Sequence, residues 1–409
     1  RMRGFKGYVS VLSDVNRSRS APGGKGLSGV VNASLGFYTV WVAHLGRRYG
    51  IIQALSRKKR PARTRTIARA TRLHEPAVRV WCEAARSLGL IEGTADGYRL
   101  PMEHRALLAD REDLRFLGGQ FSYLALRSLD FEAFDAFFRT GALGSSGTRH
   151  LREASEEATR WDHTSFLKFL LPRVPGFARR LRAGARVLDV GCGTGGWVLR
   201  MARTFPKSSF VGIDPDRAAI RIAAGRTQRS GGRIRFRVGN GGDPLSEPAF
   251  DLAYLGEVLY GVEEKEVLLR NVRASLAPDG VLVLAEGLVA SPRRTRDPGA
   301  QLVAAMELDF ALQRARFFEK SELGALLRKA GFHRVEFHDA GGGLWFVVAR
   351  VGEQRADQKG GAPRGTRAAT DRKKVTPSGG TAGPCACSRR PSGPSASRTS
   401  SIRSSASSC

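Results

Sequence analysis

The chemistry this chain offers first sits in one short stretch, Asp189-Val-Gly191-Cys-Gly193-Thr-Gly195. Ahead of it Val187, Leu188 and Val190 make an apolar run with the pattern of a buried parallel strand. The glycines then open a turn into an apolar-periodic helix. Glycine suits such a turn because a ligand must approach the backbone closely, at angles that a Cβ forbids. A second strand, Ser209 to Ile213, ends in Asp214, close to the spacing at which a carboxylate reaches a ribose hydroxyl. The spacing G-x-G-x-G differs from the G-x-G-x-x-G that seats a pyrophosphate on a helix N-terminus. Asp189, two positions before the first glycine, would repel a pyrophosphate and suits a ligand carrying an ammonium and a sulfonium.

Asp-Val-Gly-Cys-Gly-Thr-Gly resembles motif I of the class I S-adenosylmethionine (SAM) methyltransferases, and Gly212-Ile-Asp214 resembles their ribose-binding motif. The resemblance runs on through Val238-Gly-Asn240 at the adenine-contacting loop and Ala249-Phe-Asp-Leu-Ala-Tyr-Leu-Gly-Glu-Val-Leu259 as the fourth strand. Leu276-Ala-Pro-Asp-Gly-Val-Leu-Val-Leu-Ala-Glu286 matches the fifth strand and Ala330-Gly-Phe332 the approach to a last hairpin, ending at Val351. It implies an α/β fold: a Rossmann-like, seven-stranded SAM methyltransferase domain over residues 184–351. It assigns the SAM turn to Asp189, Gly191, Gly193 and Gly195, the ribose to Asp214, the adenine rim to Asn240 and Gly241, and the floor near the methyl to Leu255, Gly256 and Glu257. The family's usual acid at the adenine loop is Asn240 here, whose amide oxygen still accepts from the adenine amino group.

Methyl transfer from a sulfonium needs alignment above all, and a base only when the acceptor must lose a proton. The family's histidine bases do not carry over, because the fourth-strand loop reads Glu257-Val-Leu-Tyr260-Gly and residues 288–314 contain no His. His163, Glu257 and Tyr260 are the catalytic candidates, with Tyr254 as further polar lining, and no metal ligands are expected.

The elements that must position these groups begin upstream. The stretch from Leu27 to Gly46 has the length of a membrane span, but Asn32, Ser34, Thr39 and His44 interrupt it. Phe37, Val40, Trp41, Leu45 and Tyr49 through Ile52 recur at the spacing of a buried amphipathic helix. Thr66 is placed to cap a short helix through Ala70, and Glu75 to Leu88 carries Val78, Trp81, Ala84, Ala85 and Leu88 on one face. Leu90 to Glu92, an Asp96-Gly97 turn and Tyr98 to Leu100 predict a hairpin. That order is a winged helix, and nine Arg and Lys residues lie between Arg57 and Arg79.

In two-domain small-molecule methyltransferases such a module is a dimerisation surface and pocket lid. Gly36 to Ala54, Val80 to Ile91 and Pro101 to Leu108 resemble their N-terminal half. The resemblance implies a homodimer acting on a small-molecule acceptor, oxygen before nitrogen or carbon. The alternative is a winged-helix, nucleic-acid-binding regulator that senses SAM or a metabolite, and nucleic acid is the less favoured partner.

Residues 105–182 are rich in helix and in Phe, most of it expected as core. Within them Gly141 to Thr148 reads as a mobile loop, and the polar pair Asp162 and His163 as a surface cap at a helix start. Ala300 to Phe318 is a long amphipathic segment expected to close over the acceptor. A net charge of +29 is spread over every segment and densest in the tails, so it says little about substrate. The five cysteines form no disulfide or zinc pattern. The expected organisation is a basic extension over 1–26 with the composition of a disordered segment or a transit peptide, a winged-helix dimerisation domain over 27–150, connecting helices over 151–183, the SAM domain over 184–351, and a disordered basic tail over 352–409. The expected setting is the cytoplasm, with no membrane span.

Overall fold

The computed structural model of the protein describes residues 24–142, 148–227, 232–241, 249–289, 298–341 and 343–351. Most of both basic extensions, the centre of the Gly141–Thr148 loop, and Cys385, Cys387 and Cys409 fall outside them. The N-terminal module comprises α1 (Gly24–Arg48), α2 (Ile51–Ser56), α3 (Thr64–Thr71), α4 (Glu75–Ser87) and a hairpin of β1 (Glu92–Thr94) with β2 (Gly97–Arg99). Its core gathers Ala43, Ile52, Leu55, Ile67, Val78, Trp81, Ala85 and Ile91. The Trp81 indole donates to the Val42 carbonyl at 2.9 Å. Its ring lies where a Cβ on Gly46 would stand, so α1 meets α4 at a glycine.

Three details differ from the sequence reading. First, α3 starts at Thr64 with Arg63 as its cap residue; Thr64 rather than Thr66 does the local work, donating its hydroxyl to Glu75 Oε1 at 3.2 Å. Second, Gly97 is a strand residue paired with Thr94. It has to be glycine because its φ is 131° and a Cβ would press on the Ala62 carbonyl carbon at 2.5 Å; Ala62 pairs with Tyr98 as a third, single-residue strand. Third, the apolar stripe of α1 is not buried. Phe37, Trp41, Leu45 and Tyr49 are 37–52% exposed, because the side that meets the core is the one carrying Ala43, Gly46 and Arg47. No helix among the described residues is long and apolar enough to cross a membrane.

Next come α5 (Gly118–Arg127), α6 (Ala133–Thr140), α7 (Arg149–Ala158), α8 (Arg160–Ser165) and α9 (Pro175–Gly184). Thr148 caps α7 by accepting from the Leu151 amide at 3.0 Å, the side-chain capture expected of a threonine N-cap. Phe116, Tyr123 and Phe166 are core, as the aromatic spacing suggests. Phe131 and Phe138 are not, at 59% and 70% exposed, since α6 buries none of its residues.

The main sheet is built from β3 (Arg186–Val190), β4 (Ser209–Asp214), β5 (Ile234–Val238), β6 (Phe250–Gly256), β7 (Leu276–Val289), β8 (Phe318–Glu319), β9 (Arg334–Gly341) and β10 (Leu344–Arg350). Its order is β5-β4-β3-β6-β7-β10-β9, with the two-residue β8 attached to β7. The seven strands of that path are the seven expected; β8 lies at the end of the segment Ala300 to Phe318. The helices between them are α10 (Gly196–Thr204), α11 (Arg217–Gly225), α12 (Lys265–Ser275), α13 (Pro298–Ala311) and α14 (Lys320–Lys329).

Strands β3 to β7 pair in parallel and β10 runs antiparallel to β7 and β9. Successive β3 side chains enter opposite cores, Val187 with Trp197, Met201 and Phe346, and Leu188 with Leu255, Leu269 and Val347. Covering both faces is what makes the strands read as nearly continuous apolar runs. Leu188 is fully buried, so its truncation to Ala would cost about 2–5 kcal/mol. Strand order reverses between β3 and β6, and at such a point the carboxyl ends of the strands leave a crevice for ligands.

Candidate active site

One wall of the crevice is backbone. Gly191, Gly193 and Gly195 all sit in the left-handed region, at φ 76°, 52° and 78°. A Cβ on Gly191 would overlap Val258, and one on Gly195 would lie 2.5 Å from the Phe236 ring, whereas one on Gly193 would meet nothing within 4 Å. The outer two glycines therefore let neighbours pack against the turn, and the middle one faces open space, a cradle that a ligand could fill. Asp214 closes the turn from β4, accepting from the Gly193 amide and from the Asp216 amide, each at 2.8 Å. Its oxygens keep further lone pairs for hydroxyls. Burial raises the Asp214 carboxyl above its ordinary range against the pull of those two amides.

Asp189 is buried beside it, and burial followed by the Asp214 charge holds it well above the usual carboxylate value. Two carboxyls that favour their protons gain from a cation placed between them. At the end of β5 the Gly239 amide bonds back to the Asp214 carbonyl at 3.2 Å. Asn240 is exposed there, and Gly241 is pressed against Val190 and Leu268.

The other wall is made of side chains. Tyr254 of β6 stacks on Trp197 of α10, rings parallel within 2° and 4.0 Å apart, and Phe166 stands edge-on to both. A Cβ on Gly256 would lie 2.7 Å from the Tyr254 hydroxyl, which fixes where that phenol points. Around it act four carboxyls, those of Asp162, Asp189, Glu257 and Glu286. Leu255 is fully buried in the core beneath and brings only its backbone to the crevice.

Among the described residues Glu257 is one of three non-glycine residues with positive φ, at 57°. Such strain persists only where the surroundings impose it, and functional sites are where it gathers. Its carboxyl is held by Tyr260 and the Gly287 amide; burial outweighs both and pushes it up to about 7. Tyr260 in turn stacks on Phe310 at 4.8 Å and meets Phe317 edge-on at 6.2 Å.

Asp162 and His163 are not a surface cap. Both are buried, at 6% and 7% exposure, because α8 continues from α7 through Thr159 with no side-chain cap. They also part company. Asp162 is raised by burial and then by Glu257 and Glu286, so it belongs to the acid cluster. His163 lies under α10, its Cε1 3.3 Å from where a Gly196 Cβ would be; burial, then Arg200 and Arg160, depress it to about 3, and it is neutral.

Several site residues went unread in the sequence. Glu286, fully buried, is the lone charged residue in the apolar run from Val281 to Val289, and that was its available signal. From α5, Tyr123 donates to Asp309 at 2.6 Å and Arg127 binds the same carboxylate at 2.5–3.1 Å, fastening α13 over Tyr260. From α7, Glu156 accepts from the Thr194 hydroxyl at 2.8 Å and from Arg226 at 3.1 Å, clasping the glycine turn. Neither network has a local sequence signature. Elsewhere, the nine cations between Arg57 and Arg79 are all exposed.

A family model described as a methyltransferase domain matches residues 161–336. The trans-aconitate 2-methyltransferase of Methylobacterium nodulans is 30% identical over 190 residues, 42% of this chain and 68% of that protein. The ubiquinone biosynthesis O-methyltransferase of Xanthomonas axonopodis pv. citri is 31% identical over 172 residues, 41% of this chain and 70% of that protein. The chain spans from 6% to 70% of the length of eight curated relatives that it matches. Among solved structures, human N-acetylserotonin methyltransferase in complex with SAM superposes with a TM-score of 0.60 at 19% identity, covering 82% of this chain and 99% of that one.

Proposed function

The chain belongs to the class I SAM-dependent methyltransferase family, and from that premise we propose that it methylates a hydroxyl oxygen of a small organic molecule. The observation that carries the reading is the pairing of an open glycine cradle with buried carboxyls: Gly193 faces free space, and beside it Asp189 and Asp214 hold their protons more tightly than usual, so a bound cation favours their ionisation. SAM supplies a methyl group already activated on a sulfonium, so alignment and dryness do most of the remaining work. Asp189 and the turn of Gly191, Gly193 and Gly195 hold its amino acid end, Asp214 its ribose, and Asn240 with Gly241 its adenine. Gly256 and Leu255 leave backbone below the methyl.

Glu257 is the base. Its proton affinity near neutrality suits the removal of a hydroxyl proton, and Tyr260 orients it while forming the acceptor wall with Phe310 and Phe317. His163, neutral and packed under α10, is assigned support of the Gly196 turn rather than proton transfer. Tyr123, Arg127 and Asp309 keep α13 closed over the acceptor and water out. Two copies pair through the exposed Phe37, Trp41, Leu45 stripe of α1, in a chain divided as 27–150, 151–183 and 184–351, working in the cytoplasm. The regulator alternative is not favoured, since the curated relatives that carry the likeness are methyltransferases by name.

Calorimetric titration with SAM and S-adenosylhomocysteine tests the premise, and labelled SAM offered with a panel of phenols and hydroxy acids tests the acceptor. Micromolar binding and label on oxygen are expected; absence of binding removes the cofactor assignment, and label on nitrogen or carbon alone removes the hydroxyl.

A further inference from the structure

The ladder between β6 and β7 ends at Glu257, whose amide donates to the Ala285 carbonyl at 2.7 Å. The next two amides have no strand to pair with, because the chain turns away there. Instead, Val258 and Leu259 donate to one atom, Glu286 Oε1, at 3.2 and 2.7 Å. A side chain from the neighbouring strand has replaced the missing ladder. Glu286 is 0% exposed and its Oε2 has no hydrogen-bond partner, which is a poor place for a carboxyl that served packing alone. Directly before the clamped amides stands Glu257 in the left-handed conformation.

We propose that Glu286 is a positioning residue: by holding the Val258 and Leu259 amides it forces the left-handed turn at Glu257 and so aims the Glu257 carboxyl at Tyr260 and the acceptor wall. The inference deepens the assignment of Glu257 as base and rests on it. The clamp needs only an acceptor at Oε1, so it works with Glu286 neutral. Burial and then the Glu257 charge keep the Glu286 proton on, against the two amides and Lys265 of α12. The groups facing the pair are Asp162 from α8, Tyr123 from α5, Tyr254 on β6 and Tyr260 beyond it. None of them offers the Val258 or Leu259 amide another acceptor.

The test follows the Glu257 carboxyl directly and needs neither acceptor nor turnover. The full chain labelled with 13C at glutamate Cδ is titrated by NMR, the Glu257 signal being the one lost in Glu257→Gln. In the native protein it should titrate near 7. In Glu286→Leu, without the clamp, it should fall by about one unit or more toward the free carboxylate value. In Glu286→Gln, whose amide oxygen can accept both N–H groups, it should stay within about half a unit of native. Native titration in the Leu variant overturns the proposal, and so does a Gln variant that moves as far as Leu, since charge and not the clamp would then be responsible.

Should Glu286→Leu unfold, it is repeated on a Glu257→Gly background, where a left-handed turn needs no forcing. Folding is expected to return, and unfolding in both backgrounds means Glu286 only supports the core. Calorimetry with SAM runs alongside: if native protein binds none, the methyltransferase assignment of the crevice fails while the clamp result still stands or falls on the titration.

Discussion

Between Asp189 and Asp214 the crevice is built from backbone, with three left-handed glycines and an aspartate that grips two amides. Across from it, Tyr123, Asp162, Glu257, Glu286 and Asp309 come from five separate elements, and the Tyr123–Asp309 hydrogen bond alone spans 186 positions of sequence. The backbone wall has no adjustable part, so its outer glycines, Gly191 and Gly195, tolerate no added atom. The side-chain wall is held by charges in a dry space, so it responds to protons and to the loss of any one partner. A fixed cofactor face opposite a variable acceptor face is what lets one fold serve many acceptors.

The largest effect should come from breaking the backbone wall. Gly195→Val puts a branched side chain where φ is 78° and Phe236 stands 2.5 Å from the Cβ position. It should cost about 3 kcal/mol or more in thermal or urea unfolding and weaken SAM about a hundredfold by calorimetry. A variant that binds SAM normally would mean that this wall adjusts after all. On the opposite wall, Arg127→Ala leaves the Asp309 carboxylate without its cation, with the Tyr123 hydroxyl still donating to it, and should cost about 3 kcal/mol, as breaking a buried ion pair does. SAM affinity should change little there, which is the sharpest separation of the two halves.

Glu257→Gln should lower kcat about a hundredfold with SAM binding retained. Native activity should rise with pH through about 7, where this carboxyl ionises, and the variant should lack that limb. Stability should move the other way. The folded value lies above the ordinary 4.5, so native stability is full below 4.5 and declines as pH rises through 7. The Gln variant should therefore overtake the native protein in thermal midpoint above pH 7. The smallest effect concerns His163. Its folded value is depressed from 6.5 to about 3, so its contribution is complete above 6.5 and drains away as pH falls toward 3. His163→Leu should flatten that acid limb in melts between pH 4 and 8, leaving the neutral rate profile unchanged; loss of its alkaline or neutral limb would return His163 to the list of bases.

The same contrast decides what could be read from the chain. The glycine turn, Asp214 and the parallel strands announce themselves because backbone geometry restricts residue type within a few positions, and the sheet order followed from the motifs it carries. The hairpin and the helices at Thr66 and Glu75 came within two residues, while the stripe read as one helix through Ile52 is broken at Gly50, whose φ is 73°, into α1 and α2. Gly97 was assigned to a turn because Asp-Gly usually is one, and the true cause, the approach of Ala62, is remote in sequence. The α1 stripe was legible as a helix, while which side faced the core depended on Gly46 meeting Trp81. Asp162 and His163 look alike as neighbours in sequence, yet the step of about 100° between consecutive helix residues sends them to different company, the acids and Arg200. Glu286 could have been found by asking why a charge interrupts an otherwise apolar strand.

Trp197 gives the crevice one further property. Its indole lies flat on Tyr254, and that phenol is ringed by four carboxyls. An excited indole shifts charge across its ring, so the colour and yield of its emission follow the electric field around it. Trp197 is buried and stacked in the side-chain wall, so its share of the emission, isolated by replacing the other four tryptophans with Phe, should shift as those carboxyls gain or lose charge.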